Sequence, residues 1–340
     1  MWIGSVVLLW LSCTTVSEDK KISSVLPVDT QKRTVRTSDD WVFPKTTLIP
    51  EVSDDNPLVS QAEEFFLQDK NLEAAQILLE VLEKDPDNVT AHSLLSAVLI
   101  QLGDLVQATA AAKKVVELSP SAWSYCNLGT VYVLAKSFEE AKQAFETAME
   151  LNPKYFLALR NLGSIAYQEQ RYEAAELYFQ HFIRIDPEDT YAYVGYGEVL
   201  AEQGKLEAAK NVYLYRLQEL EWDSDARRRT PSGLTLDLPL GLAEIYSRQG
   251  NVDEAVRWFL QTIQWSWAYK GYWTSESSYA DTAYQRLVLL IQSLSIPVQK
   301  KYYLQLMTWF QEHKQSIPSE NATFEEGRFT QWIQTLEVGP

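Results

Sequence analysis

Between Ala122 and Pro187 one pattern is written twice. The first copy carries Asn127-Leu128-Gly129, Tyr132, Ala141, Phe145, Ala148 and Pro153, and the second carries Asn161-Leu162-Gly163, Tyr167, Ala175, Phe179, Phe182 and Pro187. Four pairs of partners share one spacing: 163 − 129, 175 − 141, 179 − 145 and 187 − 153 each give 34. A fixed period of that size marks a stack of supersecondary units, because one unit alone cannot bury its apolar face. Each copy holds two apolar runs of helical period joined by a short polar turn, Lys136-Ser137-Phe138 or Gln170-Arg171-Tyr172. Gly129 and Gly163 fall inside the first run, where glycine costs about 1 kcal/mol relative to alanine. That cost predicts a close approach of the second helix to the backbone there. Ala141 and Ala175 hold the matching slot on the second helix. Tyr132, Phe145 and Phe179 are expected to fill the gap toward the next unit, and Pro153 and Pro187 to stop the second helix.

These residues, at this period, resemble the tetratricopeptide repeat. The frame extends upstream through Leu95, Leu99, Gly103, Ala108 and Pro120, and downstream through Tyr196-Gly197, Gly204, Ala209 and Tyr213. Asn71-Leu72-Glu73-Ala74-Ala75 with Pro86 form a weaker first copy, and Leu242-Ala243, Tyr246, Gly250, Ala255 and Phe259 a sixth. The resemblance covers residues 56–264. It implies an all-α, right-handed α-solenoid of about six helix pairs, interrupted by a loop near 221–236, after which Pro239 is expected to open the next helix. Residues 265–340 read as a C-terminal helical cap with a polar outer face. Its helices are expected near Ser278–Leu294, Val298–Gln315 and Thr323–Glu337. The Trp265–Trp273 aromatic cluster is read as core, with an exposed platform for a sugar or a peptide as its rival.

The net charge of −16 over 340 residues argues against non-specific nucleic-acid binding, which needs a cationic surface. It favours a basic or neutral partner, or simply a soluble surface. Within this acidic chain Arg227-Arg228-Arg229 forms the one basic triplet. That loop reads as solvated and paired with Asp223 and Asp225, against the alternative of a contact for an acidic partner. Two cysteines, Cys13 and Cys126, give no disulfide framework, and Cys126 reads as a small packed residue. His92, His181 and His313 have no metal-ligand spacing. No Gly-rich phosphate loop, His-Glu-x-x-His or serine elbow is present, and Glu139-Glu140 and Glu325-Glu326 are adjacent pairs that do not face each other on a helix. The expectation is therefore a protein that is not an enzyme, with no cofactor and no metal.

At the start of the chain, Met1–Leu11 is an apolar run too short to span a membrane and of signal-peptide length. Leu11-Ser12-Cys13 followed by a polar turnover resembles a bacterial lipoprotein signal, which implies lipidation at Cys13. Thr14 after the cysteine then implies an outer-membrane lipoprotein facing the periplasm. A cleaved secretory signal and an uncleaved N-terminus are the alternatives. Residues 14–55 read as a flexible tether, with Trp41-Val42-Phe43-Pro44 as an apolar island that docks on the first repeat or binds a partner.

The repeat resemblance implies a concave groove lined by the first helix of each pair. Carried over, that wall holds Trp123, Asn127, Thr130 and Leu134, then Leu157, Arg160, Asn161, Ser164 and Tyr167, then Tyr191, Val194 and Glu198. Asn127 and Asn161 share a frame slot, and their amides are expected either to clasp an extended partner backbone or to support the repeat turn. The ladder of Lys, Arg and Asn that holds a chaperone C-terminus is missing, because Arg160 stands alone and Gly195 and Glu198 occupy neighbouring slots. The reading is a non-catalytic scaffold for partner proteins of the bacterial envelope, held at the membrane by its N-terminal lipid. An unanchored soluble scaffold, and a cell-wall or sugar-binding subunit using Trp265–Trp273, are the alternatives.

Overall fold

The computed structural model describes residues 56–222, 234–268, 279–314, 327 and 329–331. Cys13, the tether, the Arg227–Arg229 triplet, Tyr269–Trp273 and most of the last expected helix lie outside the described residues.

Among the described residues the chain forms consecutive α-helices: α1 (Pro57–Leu67), α2 (Asn71–Lys84), α3 (Val89–Gln101), α4 (Leu105–Leu118), α5 (Ala122–Leu134), α6 (Phe138–Leu151), α7 (Phe156–Gln168), α8 (Tyr172–Ile185), α9 (Thr190–Glu202), α10 (Leu206–Trp222), α11 (Leu234–Arg248), α12 (Val252–Ala268), α13 (Tyr279–Gln292) and α14 (Ile296–His313). The first six pairs are packed helical hairpins, and each second helix also packs on the first helix of the next pair. This is the all-α right-handed solenoid of about six pairs, with α13 and α14 as a cap.

That stacking explains an asymmetry between the two helices of a pair. A first helix is clamped between the second helices on either side of it, so α3 buries Ala91 and everything from Ser93 to Leu99. A second helix has one free side. On α6 only the stripe Ala141, Ala144, Phe145 and Ala148 is buried, while Glu139 and Glu140 face water.

The glycines of the repeat have a different neighbour from the one expected. What lies on Gly129 is the Phe145 ring rather than a backbone: a Cβ there would sit 2.7 Å from the ring. The same ring-on-glycine contact recurs between Phe179 and Gly163 (3.0 Å) and between Tyr213 and Gly197 (2.1 Å). Phe179 also presses on Gly195 and Tyr213 on Gly241, so each ring bridges its own pair to the next. In the second pair the same two slots hold Leu95 and Ala111, both buried, which exchanges large for small across the contact.

The turns inside the pairs follow one geometry. Each closes on a residue with positive φ: Asp69 (62°), Gly103 (80°), Lys136 (61°), Gln170 (58°), Gly204 (76°) and Gly250 (75°). The next amide reaches back to a carbonyl five residues earlier, as in Asp104 N–H to Leu99 O and Arg171 N–H to Ala166 O. This satisfies carbonyls that a helix end leaves open. At the other ends, Asn88, Asp104 and Asp189 cap the helices that follow them, and Ser121 forms a capping box with Ser124.

The sixth pair departs from expectation at its start. Helix α11 begins at Leu234, so Pro239 lies inside the helix rather than opening it. The cap closes the stack through a core of Val256, Phe259, Ile263, Tyr284, Leu287, Ile291, Leu306, Phe310 and Phe329. Polar links fasten it: the Tyr302 hydroxyl donates to Asp253 at 2.7 Å, Lys301 pairs with the same carboxylate at 3.4 Å, and Arg286 pairs with Glu244. Burial and the neighbouring carboxylate push the Tyr302 phenol well above its ordinary range. The outer face is not wholly polar, since Leu289, Ile296 and Leu304 are exposed. Of the aromatic cluster, Trp265 is half-buried against the core that holds Leu238 and Leu242.

Candidate partner-binding groove

The wall under consideration is formed by the first helices α3, α5, α7 and α9. Its composition follows from their clamped position, which favours small and apolar residues. Helices α3 and α5 contain no Asp, Glu, Lys or Arg, α7 contains Arg160 alone, and α9 contains Glu198 and Glu202.

Two clefts open on this wall. One lies between α3 and α5 and is lined by Ser93, Ser96, Ala97, Ile100, Ser124, Asn127 and Val131, with Ala112 and Val115 of α4 as floor. The other lies between α7 and α9, lined by Ser164, Tyr167, Gln168, Tyr191, Gly195 and Glu198 over the Phe179 ring of α8. Their free volumes, about 10 and 20 Å³, hold roughly one water apiece.

The first cleft carries polar groups with capacity to spare. Ser93 is 5% exposed, and among the described residues no protein group hydrogen-bonds its hydroxyl or the Asn127 side-chain amide. Ser96 is spent on the Ala108 carbonyl at 3.0 Å. A buried hydroxyl that opens only into a cleft gains from any donor or acceptor brought there.

The next junction, between α5 and α7, is closed. Asn161, expected beside Asn127 on the wall, is 2% exposed and directs its amide at the Cys126 sulfur (4.0 Å). Thr130 is likewise buried, donating to the Cys126 carbonyl at 3.0 Å. Burial, opposed by Arg160 and Asn161, pushes the Cys126 thiol up to about 12. Val194 is core as well. These three side chains support the repeat instead of facing a partner. Trp123, Leu134 and Leu157 are half-buried, Leu157 packing beside Leu162 and Ile165.

Around the second cleft the side chains hold one another. Ser164 and Tyr191 share a hydrogen bond of 2.9 Å, and the Arg160 guanidinium lies over the Tyr191 ring at 5.3 Å. Tyr191 is tilted against Phe179 at 6.4 Å, and Tyr167 against Tyr172 at 5.9 Å. Asp189 caps α9 by accepting from the Tyr191 and Ala192 amides. Burial raises its carboxyl above the usual range, and Arg160 opposes that rise. Ser93, Ser96, Gln168 and Phe179 were not among the expected wall residues. The 34-residue frame was the signal for three of them, since 93 shares a slot with 127 and 161, 96 with 130 and 164, and 168 with 134.

Models described as tetratricopeptide repeat match residues 60–122 and 126–190, and again 240–264. With the helical hairpins above, this makes the chain a tetratricopeptide-repeat protein. Among curated proteins, Hsp70-Hsp90 organizing protein 3 of Arabidopsis thaliana is 29% identical over 91 residues, 26% of this chain and 16% of that protein. Among solved structures, PilW, a type IV pilus biogenesis factor, is similar with a TM-score of 0.54 and 18% identity, covering 68% of this chain and 99% of PilW. PilF of Pseudomonas aeruginosa is similar with a TM-score of 0.52 and 19% identity, covering 68% of this chain and 96% of PilF. At those identities the likeness is one of fold. No described helix is long and apolar enough to cross a membrane.

Proposed function

We propose that this protein is a non-catalytic adaptor that docks segments of partner proteins along the wall of α3, α5, α7 and α9. The observation that carries the reading is the first cleft, where Ser93 and Asn127 offer hydrogen-bonding groups that the described chain leaves unused. An extended segment has a donor and an acceptor at nearly every residue, and a side-chain amide answers both. Trp123, Tyr167 and Tyr191 add half-buried aromatic area, the kind of surface that anchors interfaces. The Arabidopsis relative's name ties that protein to two chaperones. Here the wall has Arg160 as its one cation, already laid on Tyr191. A chaperone-type acidic C-terminus therefore has no cationic ladder to meet.

The anchor belongs to the same proposal. It rests on Leu11-Ser12-Cys13 after an apolar run, and places the adaptor at the bacterial envelope with Cys13 lipidated. Mass spectrometry of the mature N-terminus tests it: an acylated Cys13 supports the anchor, and an intact Met1 removes it. Docking is tested by photo-crosslinking in cells from Tyr167, with Glu139 on the outward face of α6 as control. A discrete adduct from Tyr167 and not from Glu139 is expected. Identical adduct patterns at both positions, or none at Tyr167, would refute the groove.

A further inference from the structure

The second residue of each second helix is an exposed slot in all six pairs. It holds Leu72 in α2 and Val106 in α4, then Glu139, Glu173, Glu207 and Asp253 in α6, α8, α10 and α12. A carboxylate there meets the positive end of its helix, which accounts for the last four. Leucine and valine gain nothing from the helix end and enter no core: Leu72 is 66% exposed and Val106 82%. Leu67, which ends α1, and Leu102, which follows α3, are exposed as well. These four flank the turns of the first two hairpins, and stacking brings those turns to one edge of the solenoid. That edge presents aliphatic side chains over two hairpins and carboxylates over the next four.

We infer that this apolar edge is the seat of Trp41-Val42-Phe43-Pro44, the island that precedes the array in the same chain. The reach fits. Eleven residues, 45–55, separate Pro44 from Asn56, and such a stretch spans up to about 40 Å when extended. Asn56 caps the far end of α1, so the chain has to run back along about 16 Å of helix and across neighbours about 8–10 Å apart. Between Pro57 and Leu67 the exposed residues of α1 are Ser60, Gln61 and Glu64, so the body of that helix offers the island no apolar surface. The chemistry fits as well. In an extended island Trp41 and Phe43 point to the same side, and both rings can lie on the aliphatic edge while the flanking Asp39, Asp40 and Lys45 stay in water. A segment tied to its site by a short stretch meets it at roughly millimolar effective concentration. A few exposed aliphatic side chains then suffice, where a free partner needs a larger interface. Docking shortens the span between Cys13 and the array to residues 14–40, and so sets how far the array stands from whatever holds its N-terminus.

Limited trypsin digestion of the full chain tests the seat, with mass spectrometry following cleavage after Lys45, next to the island. Two double variants release the island from opposite sides. Leu72→Glu with Val106→Glu gives the first two hairpins the carboxylate that the other four carry, and Trp41→Ser with Phe43→Ser removes the rings. Cleavage after Lys45 should be about tenfold slower in the parent than in either variant, while cleavage after Lys20 stays the same in all three. The occupant is identified with p-benzoylphenylalanine placed at Val106 in a mixture of isotopically light and heavy chains. The adduct should join position 106 to residues 41–44 of one and the same chain. Cleavage after Lys45 as fast in the parent as in both variants would overturn the proposal. So would adducts that join light to heavy chains, which would make the edge a contact between two copies.

Discussion

Phe145 and Gly129 act as one packing element, sixteen residues apart (145 − 129), with the ring seated where a side chain would otherwise be. Phe145→Ala should cost about 3–5 kcal/mol, and Gly129→Ala about 1–3 kcal/mol by forcing a Cβ into the ring. Combining Gly129→Leu with Phe145→Ala reproduces the Leu95/Ala111 arrangement of the second pair, so the double variant should be more stable than Phe145→Ala alone in urea unfolding. A double variant no better than the single would mean that the two slots do not exchange volume. Cys126 supports a pH prediction. Its thiol is pushed from 9.0 up to about 12 by burial. The unfolded chain therefore ionises it first, and its contribution to stability is intact below pH 9 and is lost as pH rises toward 12. The difference in urea midpoint between the parent and Cys126→Ala should thus narrow at alkaline pH, and the folded thiol should resist alkylation at pH 8. Sequence marked Gly129 and Cys126 as special and packed. It could not show that the object above the glycine is a ring, because a missing side chain reveals a gap and not its occupant.

At the scale of helices and turns, the left-handed residue that ends each first helix is the common device. Glycine takes that position without strain at 103, 204 and 250, while Gln170 occupies it at φ 58°. Gln170→Gly should raise stability by roughly 0.5–1 kcal/mol, since relief of left-handed strain exceeds the added freedom of the unfolded chain. Thermal melting checks it, and a lower melting temperature would contradict the strain account. The helix pairs themselves were legible, because an apolar stripe of period 3.6 and its polar turn are local properties. The start of α11 was not. Proline usually marks a helix beginning, but here the helix continues through Pro239, which is buried in the packed pair.

For the molecule as a whole, a stack of hairpins leaves its last apolar face open unless something covers it. Helices α13 and α14 cover Val256, Leu260 and Ile263 here. A chain ended after Ala268 should expose them and self-associate in size-exclusion chromatography, melting below the full chain; a monomer of unchanged melting temperature would mean that α13 and α14 are not the cap. Sequence by itself determined the repeat, its period and the hairpin stack, since each hairpin is specified by neighbours close in the chain. Tertiary structure alone decided which wall residues open into a cleft. Asn127 and Asn161 are the same residue in the same frame slot. Yet Asn127 opens into a cleft beside Ser93, while Asn161 is shut in against Cys126 and Thr130. Exposure at that slot depends on the side chains across the junction, and no single repeat contains them.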